Sequence, residues 1–181
     1  MSSKRMLTNN QEVAVDFLNT HLAMVVFLMP WKRITVTAGG ESQNGLFSLF
    51  NFLNIDPWVV GMDTVDDTLV TKTHTFIGLS VVLLVSCILS FATSVFYAKD
   101  VGVRFGLDFI NFALGSVILI LAVTFQSDFD AYWKFISDNA PSGAVVDYEQ
   151  MFLVVGVLVG QIVLSLLCMA DKFKDVYEKL Y

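Results

Sequence analysis

Long apolar runs separated by polar segments dominate the pattern of this chain. The clearest run extends from Phe76 to Tyr97 and contains no charged side chain over its 22 residues. At the rise of an α-helix, this run is long enough to cross a bilayer core of ~30 Å. Two further runs of similar length follow it, and a soluble core could not cover three such helices. The pattern therefore predicts a polytopic membrane protein.

The chain has room for four spans in a single domain, residues 1–181. We expect the spans at about residues 13–30, 76–97, 105–125 and 151–169. The first is expected to be retained, because no small-residue cleavage site precedes the turn at Pro30. Outer loops are left at 31–75 and 126–150. The predicted fold class is an all-α membrane protein, a four-transmembrane-helix bundle with a small first extracellular loop in which β-strands are possible.

Sequence patterns in the two outer loops also predict secondary structure. From Ile34 to Ala38, apolar residues alternate with threonines in a segment rich in β-branched residues, which predicts a strand. The Gly and Asn residues of 39–45 then mark a turn. The apolar stretch 45–58 fits either a strand or a helix. In the second loop, four residues of 129–136 share one helical face, which predicts that the third span continues as an amphipathic helix.

Among the polar side chains within the predicted spans, four are candidate intramembrane sites: Asp16, His21, Asp108 and Gln161. Ionisable residues within spans often belong to a proton or ion path. We favour the alternative, in which Asp16 and Asp108 lie at an interface or in interhelical hydrogen bonds and Gln161 bonds between helices. For His21 we expect a hydrogen-bonded histidine inside the bundle. At 100° per residue, one stripe of the first helix collects Glu12, Asp16, Asn19, Thr20 and Ala23, whereas His21 points away from it.

The small residues of the predicted spans are expected to contribute to helix packing and not to a catalytic or metal site. Gly156 and Gly160 have the small-xxx-small spacing that lets two helices approach closely, either within the bundle or against another chain. Cys87 and Cys168 lack the paired or clustered spacing of a disulfide framework or metal site, so we expect them in the core. The pattern also contains no nucleophile–base pair and no phosphate-binding glycine loop. It predicts no catalytic residue, no metal and no cofactor.

The distribution of basic residues favours one orientation in the membrane, and the net charge argues against one class of partner. The net charge of −6 argues against a nucleic-acid partner, which requires a basic surface. Seven of the 11 Lys and Arg residues fall on the side of both termini and the 98–104 link, which predicts cytoplasmic termini. We expect the plasma membrane, with an organelle membrane as the alternative. The outer loops are acidic and should attract cations and cationic partners.

This layout resembles the claudin and peripheral myelin protein superfamily of tetraspan proteins. The residues that carry the resemblance are Trp31 and Arg33 after the first span, then Gly45, Leu46 and Phe47, and Tyr148 and Glu149 before the fourth span. The family also has a cysteine pair in this loop, but Phe50 occupies the first cysteine position and residues 59–61 supply no second cysteine. The chain is therefore a remote relative or a bundle of similar layout.

The resemblance implies a non-enzymatic tetraspan protein that acts by lateral or cell–cell association, as at a cell junction. Its first outer loop would be the recognition surface, and Asp56 the cation-attracting residue of any pore. The alternative is an accessory structural subunit of a larger membrane complex, either a channel or an energy-transducing complex. A third hypothesis is a small transporter with Asp16 and Asp108 as proton-linked carboxylates. The expected partners are the lipid bilayer and other membrane protein subunits or a second copy of this chain.

Overall fold

The computed structural model describes residues 7–48, 67–97, 100–138, 144–150 and 152–180. Nearly all of these residues belong to helices or strands. In chain order the elements are α1 (Asn9–Leu28), β1 (Pro30–Ala38), β2 (Glu41–Ser48), α2 (Asp67–Phe96), α3 (Val101–Asp138), β3 (Ala144–Gln150) and α4 (Phe152–Leu180). The helices pack as a bundle in which α1 contacts α2 and α4, and α3 contacts the same two helices.

Among the described residues, three helices are long and apolar enough to cross a membrane. Their apolar segments are His74–Phe96 in α2, Val101–Thr124 in α3 and Leu153–Phe173 in α4. Large apolar side chains are exposed on each of these helices, for example Val82, Ile120 and Leu167, as expected for surfaces in contact with lipid. The protein is therefore a multi-pass integral membrane protein. Helix α1 is not among the three, and its role as a further span stays a prediction.

The helices are longer than the predicted spans. Helix α1 begins at Asn9 because Thr8 forms a capping box with Gln11, in which each side chain bonds the other residue's backbone N–H. Helix α3 continues to Asp138, as predicted for the segment after the third span, and has 38 residues. At 1.5 Å per residue it is about 57 Å long, well beyond the ~30 Å of a bilayer core. Helix α4 likewise continues past the predicted end at 169.

A three-stranded antiparallel sheet lies at one end of the bundle, in the order β2-β1-β3. The predicted strand at 34–38 lies within β1. The predicted turn is narrower than expected, because it consists of Gly39 and Gly40, whose positive φ angles of 62° and 86° suit glycine. Asn44 and Gly45, which we had assigned to that turn, pair with β1 instead. Strand β3 was not predicted, and it brings the second loop into the same sheet as the first.

We call the end of the bundle that carries the sheet the sheet end, and the opposite end, where α2 is linked to α3, the link end. The sheet is tied to the bundle through Trp31, which is buried at the start of β1. Its indole Nε1 donates a hydrogen bond of 2.9 Å to the carbonyl oxygen of Val26. Its ring meets Phe76 of α2 edge-on at 4.8 Å between centroids. The apolar core continues from there along the bundle through Val26, Leu83, Ile118, Val154 and Leu158.

Candidate functional site

Buried polar side chains fill the half of the bundle nearer the link end, and each of the four helices contributes to them. They are Glu12, Asp16, Asn19 and Thr20 on α1, Ser86, Ser90 and Ser94 on α2, Arg104, Asp108 and Asn111 on α3, and Gln161, Ser165, Asp171 and Lys172 on α4. Neither lipid nor a packed interior offers hydrogen bonds, so such groups must satisfy one another. We call this set the polar network.

Two buried bases hold the acidic face of α1. Nη2 of Arg104 donates a 2.8 Å hydrogen bond to Oε2 of Glu12, and the two side chains are 2% and 0% exposed. Nζ of Lys172 lies 2.5 Å from Oδ2 of Asp108 and 3.8 Å from Oε1 of Glu12. Arg104 and Asp108 are four residues apart on α3 and therefore share one face of that helix. These ion pairs join α1, α3 and α4 to one another.

Asp16 lies one helical turn further into the bundle than Glu12, and its side chain is 2% exposed. Its Oδ1 is 4.0 Å from Sγ of Cys168, and no hydrogen-bond partner of its Oδ2 is found among the described residues. Nearby, the hydroxyl of Ser90 donates to Oδ1 of Asp108 at 3.2 Å. One carboxylate oxygen of Asp16, one carboxylate oxygen of Asp108 and the sulfur of Cys168 all lie within 4.8 Å of one another.

A layer of amides separates these charges from the apolar core. Nε2 of Gln161 donates to Oγ of Ser165 at 3.1 Å and to the carbonyl oxygen of Asn111 at 3.4 Å, and Nδ2 of Asn19 donates to the same Ser165 at 2.9 Å. Gly115 leaves the space that Gln161 occupies, because a Cβ there would lie 2.3 Å from Oε1 of Gln161. Several polar atoms of this layer have no hydrogen-bond partner among the described residues: Asn19 Oδ1, Ser86 Oγ, Asn111 Oδ1 and Nδ2, and Gln161 Oε1.

The structure places three of the four predicted intramembrane polar residues in this network. Asp108 and Gln161 make interhelical hydrogen bonds, in keeping with the role that we favoured. Asp16 is also buried in the bundle, at 2% exposure, and its expected position at the membrane interface stays a prediction. His21 is not inside the bundle: it is exposed, with Nδ1 2.8 Å from the carbonyl oxygen of Phe17 and its ring 4.1 Å from the Phe17 ring. The expectation of a bundle histidine is wrong because His21 points away from the buried stripe of α1.

The two glycines of α4 have different surroundings. A Cβ at Gly160 would lie 3.7 Å from Cδ1 of Leu22, so this glycine lies in the contact between α1 and α4. Gly156 is exposed, and a Cβ there would meet nothing within 4 Å. Cys87 and Cys168 are both buried with free thiols, in line with the expected core positions.

The residues of the loop resemblance are spread over the sheet. Trp31 is buried and Arg33 is exposed on β1, whereas Gly45, Leu46 and Phe47 lie on β2. Tyr148 and Glu149 lie on β3. The other positions of the resemblance, Phe50, Asp56 and 59–61, fall outside the described residues.

Two residues of the network, Arg104 and Lys172, were missed as site residues because we counted them among the bases of the cytoplasmic side. They are 2% and 1% exposed. A signal was available for Arg104, since it precedes Asp108 by one helical turn and would share its face. Lys172 offered no such signal, because its carboxylate partner Asp108 is 64 residues away in the chain.

With this geometry in place, the chain can be compared with known proteins. No known family model and no curated protein sequence matches it. Evidence for the role of this chain therefore comes from the arrangement of its sheet and its bundle.

Proposed function

We propose that this chain is a non-enzymatic protein of four membrane spans that acts by association, laterally within one membrane or between cells. The observation that carries the proposal is the three-stranded sheet, which combines residues 30–48 with residues 144–150. Two segments that are distant in the chain thus build one surface at one end of the bundle. Such a surface suits recognition better than either loop could alone.

The sheet is mounted in a way that favours binding. Strand β1 begins at Pro30, directly after α1, and α4 begins at Phe152, directly after β3. Trp31 anchors the same strand to Val26 and Phe76 in the bundle. A surface held on rigid elements loses little conformational entropy when a partner binds, which favours affinity.

One face of the sheet has the mixed composition of a recognition surface. The antiparallel register puts Arg33, Thr35 and Thr37 of β1 on the same face as Ser42 of β2 and as Val145 and Asp147 of β3. Of these, Arg33, Ser42, Val145 and Asp147 are exposed, and Val145 exposes 54% of its surface. Protein interfaces commonly combine apolar contacts with such polar and charged groups.

Two further observations support the rest of the proposal. Helix α1 buries Glu12 and Asp16 against bases and polar groups of the other helices, which favours its inclusion in the membrane-spanning bundle. The polar network also has no exposed member, since its residues are at most 9% exposed. A substrate could not reach it without opening the bundle, which favours association over catalysis.

A charge reversal on the sheet tests the proposal. Asp147→Lys changes an exposed group on the proposed surface, whereas Asp138→Lys makes the same change at the exposed end of α3, outside the sheet. We expect Asp147→Lys to weaken association by about tenfold, because rim charges govern encounter and register, while Asp138→Lys leaves it close to wild type. Association is measured by co-purification of two differently tagged copies and by adhesion between expressing cells.

The same experiment can contradict the proposal. Equal association by the wild type and by both variants would show that the sheet face is not a recognition surface. Purification of the chain with a fixed set of unlike subunits, and without a second copy, would instead indicate the accessory subunit of a larger complex.

A further inference from the structure

In one part of the polar network, two carboxylates and a thiol from three helices lie close together, and none of the three groups carries a positive charge that could neutralise the others. Asp16 of α1, Asp108 of α3 and Cys168 of α4 each direct one donor atom to within 4.8 Å of the other two. All three side chains are at most 2% exposed. We propose that these three residues bind a divalent transition-metal ion of the zinc type inside the bundle, independently of the association proposed above.

The charges of the network favour a cation at this point. Its central carboxylates are Glu12, Asp16 and Asp108, and its buried bases are Arg104 and Lys172. When all are ionised, these five side chains carry one surplus negative charge, and the buried Asp171 of the same network adds another, which is costly inside a bundle. When Zn²⁺ binds, the thiol of Cys168 gives up its proton to water, and the thiolate forms the metal–sulfur bond. The dication and the new thiolate together add one positive charge, which offsets one of the surplus negative charges.

An unpartnered atom at the same place points to a ligand independently of that charge count. Oδ2 of Asp16 is buried and makes no hydrogen bond of good geometry among the described residues, although the hydroxyl of Ser94 lies near this carboxylate and its Oδ1 faces Cys168 at 4.0 Å. A buried carboxylate oxygen without a donor costs about 1–3 kcal/mol or more. A metal ion bound beside the thiolate by both oxygens of the Asp16 carboxylate would satisfy Oδ2 as well.

Lys172 is compatible with this site, although it lies against one of the proposed ligands. Its Nζ is 2.5 Å from Oδ2 of Asp108, while Oδ1 of Asp108 accepts a 3.2 Å hydrogen bond from Ser90 and retains a lone pair. A carboxylate that binds a metal through one oxygen is commonly held by hydrogen bonds to its other oxygen. Lys172 and Ser90 would therefore orient Asp108 toward the ion.

The donor set selects the kind of metal. Thiolate ligands favour Zn²⁺ and similar ions, whereas Ca²⁺ and Mg²⁺ take oxygen ligands. Zinc also binds carboxylate oxygens, and sites with three protein ligands leave a position for water. Sequence spacing could not reveal this set, because its ligands are contributed by three separate helices.

The test uses the full chain, purified in detergent, stripped with a chelator and titrated with Co²⁺. Cobalt is chosen because a cobalt–thiolate bond produces charge-transfer and visible d–d absorption that reports its ligands. We expect saturation near one Co²⁺ per chain and displacement of the cobalt by Zn²⁺. Cys168→Ser should abolish the charge-transfer band, and Asp16→Asn should lower the affinity by about tenfold or more. Cys87→Ser is the matched control, since Cys87 is an equally buried thiol outside the proposed ligand set, and it should bind as the wild type does.

A thermal unfolding series gives a second readout. Zn²⁺ should raise the unfolding midpoint of the wild type and of Cys87→Ser, but not that of Cys168→Ser. Without metal, Asp16→Asn should be at least as stable as the wild type, because it removes one surplus negative charge. The proposal is overturned by an absence of saturable Co²⁺ binding, which would leave a proton as the partner of Asp16. It is equally overturned by a charge-transfer band that persists in Cys168→Ser or disappears in Cys87→Ser.

Discussion

The two halves of the bundle are held together by different forces. Toward the sheet end, the contacts between helices are apolar, with Val26, Leu83, Ile118 and Leu158 at most 1% exposed. Toward the link end, the same four helices meet through the buried ion pairs and amides of the polar network. Lipid tails are as apolar as leucine, so the apolar half gains from close packing rather than from escape from water. The polar half gains from pairing groups that lipid cannot satisfy.

The two halves therefore contribute to the fold in different ways. Apolar side chains tolerate several similar packings, whereas a buried charge is satisfied only by a partner at the right position. We therefore infer that the polar half sets the register of α1, whose Glu12 meets Arg104 at 2.8 Å. The apolar half adds packing contacts once that register is established.

The largest effect should come from breaking the ion pair. Arg104→Met removes the guanidinium from Glu12 and leaves a buried carboxylate with Lys172 at 3.8 Å. We expect the free energy of unfolding to fall by about 3–5 kcal/mol, as for other buried pairs that lose one partner. Reversible unfolding in mixed detergent micelles measures it.

The double variant Glu12→Gln/Arg104→Met is the control for this experiment, because it removes both charges. It should recover much of the lost stability, since the uncompensated charge is what destabilises the single variant. If the double variant is as unstable as Arg104→Met, the loss is due to packing of the arginine rather than to charge.

An intermediate effect is expected where the two halves meet. Gly115→Ala would place a Cβ 2.3 Å from Oε1 of Gln161 and 2.9 Å from Cγ1 of Ile162. We expect the unfolding free energy to fall by about 1–3 kcal/mol, the usual cost of overpacking. Gly106→Ala on the same helix meets nothing within 4 Å and is the matched control, with an expected gain of up to about 1 kcal/mol from helix propensity. Equal effects of the two substitutions would contradict a close approach of α3 and α4 at Gly115.

The smallest effect is expected in the apolar half. Ile118 is fully buried, whereas Ile120 on the same helix is 62% exposed. Ile118→Val removes one buried methyl group and should cost about 0.5–1.5 kcal/mol, while Ile120→Val should leave the unfolding free energy almost unchanged. The same micelle unfolding assay compares them. A larger cost for Ile118→Val than for Arg104→Met would reverse the order that we assign to the two halves.

The sequence predicted correctly those structural features that depend on a single helix or a single strand. The uncharged run from Phe76 to Tyr97 could only be an apolar helix, and the alternation from Ile34 to Ala38 lies in β1. The helical period also identified the buried stripe of α1, since that helix buries Glu12, Asp16, Asn19, Thr20, Ala23 and Val26. Each of these inferences needed only the geometry of one helix or one strand.

Helix ends and the second loop were less predictable. Hydropathy marks where a helix enters lipid and not where its hydrogen bonds end, so the continuation of α4 from 169 to Leu180 was missed. Strand β3 was missed because its short segment becomes a strand by pairing with β1, which is more than a hundred residues earlier in the chain.

By itself, the sequence determined that this is a multi-pass membrane protein with a polar face on its first helix, because hydropathy and helical period are local properties. Only the tertiary structure decided which groups that face would meet. Glu12 and Arg104 are 92 residues apart, and Asp16 and Cys168 are 152 residues apart. The partner of a buried charge depends on how whole helices pack against each other, and no pattern within one helix records that packing.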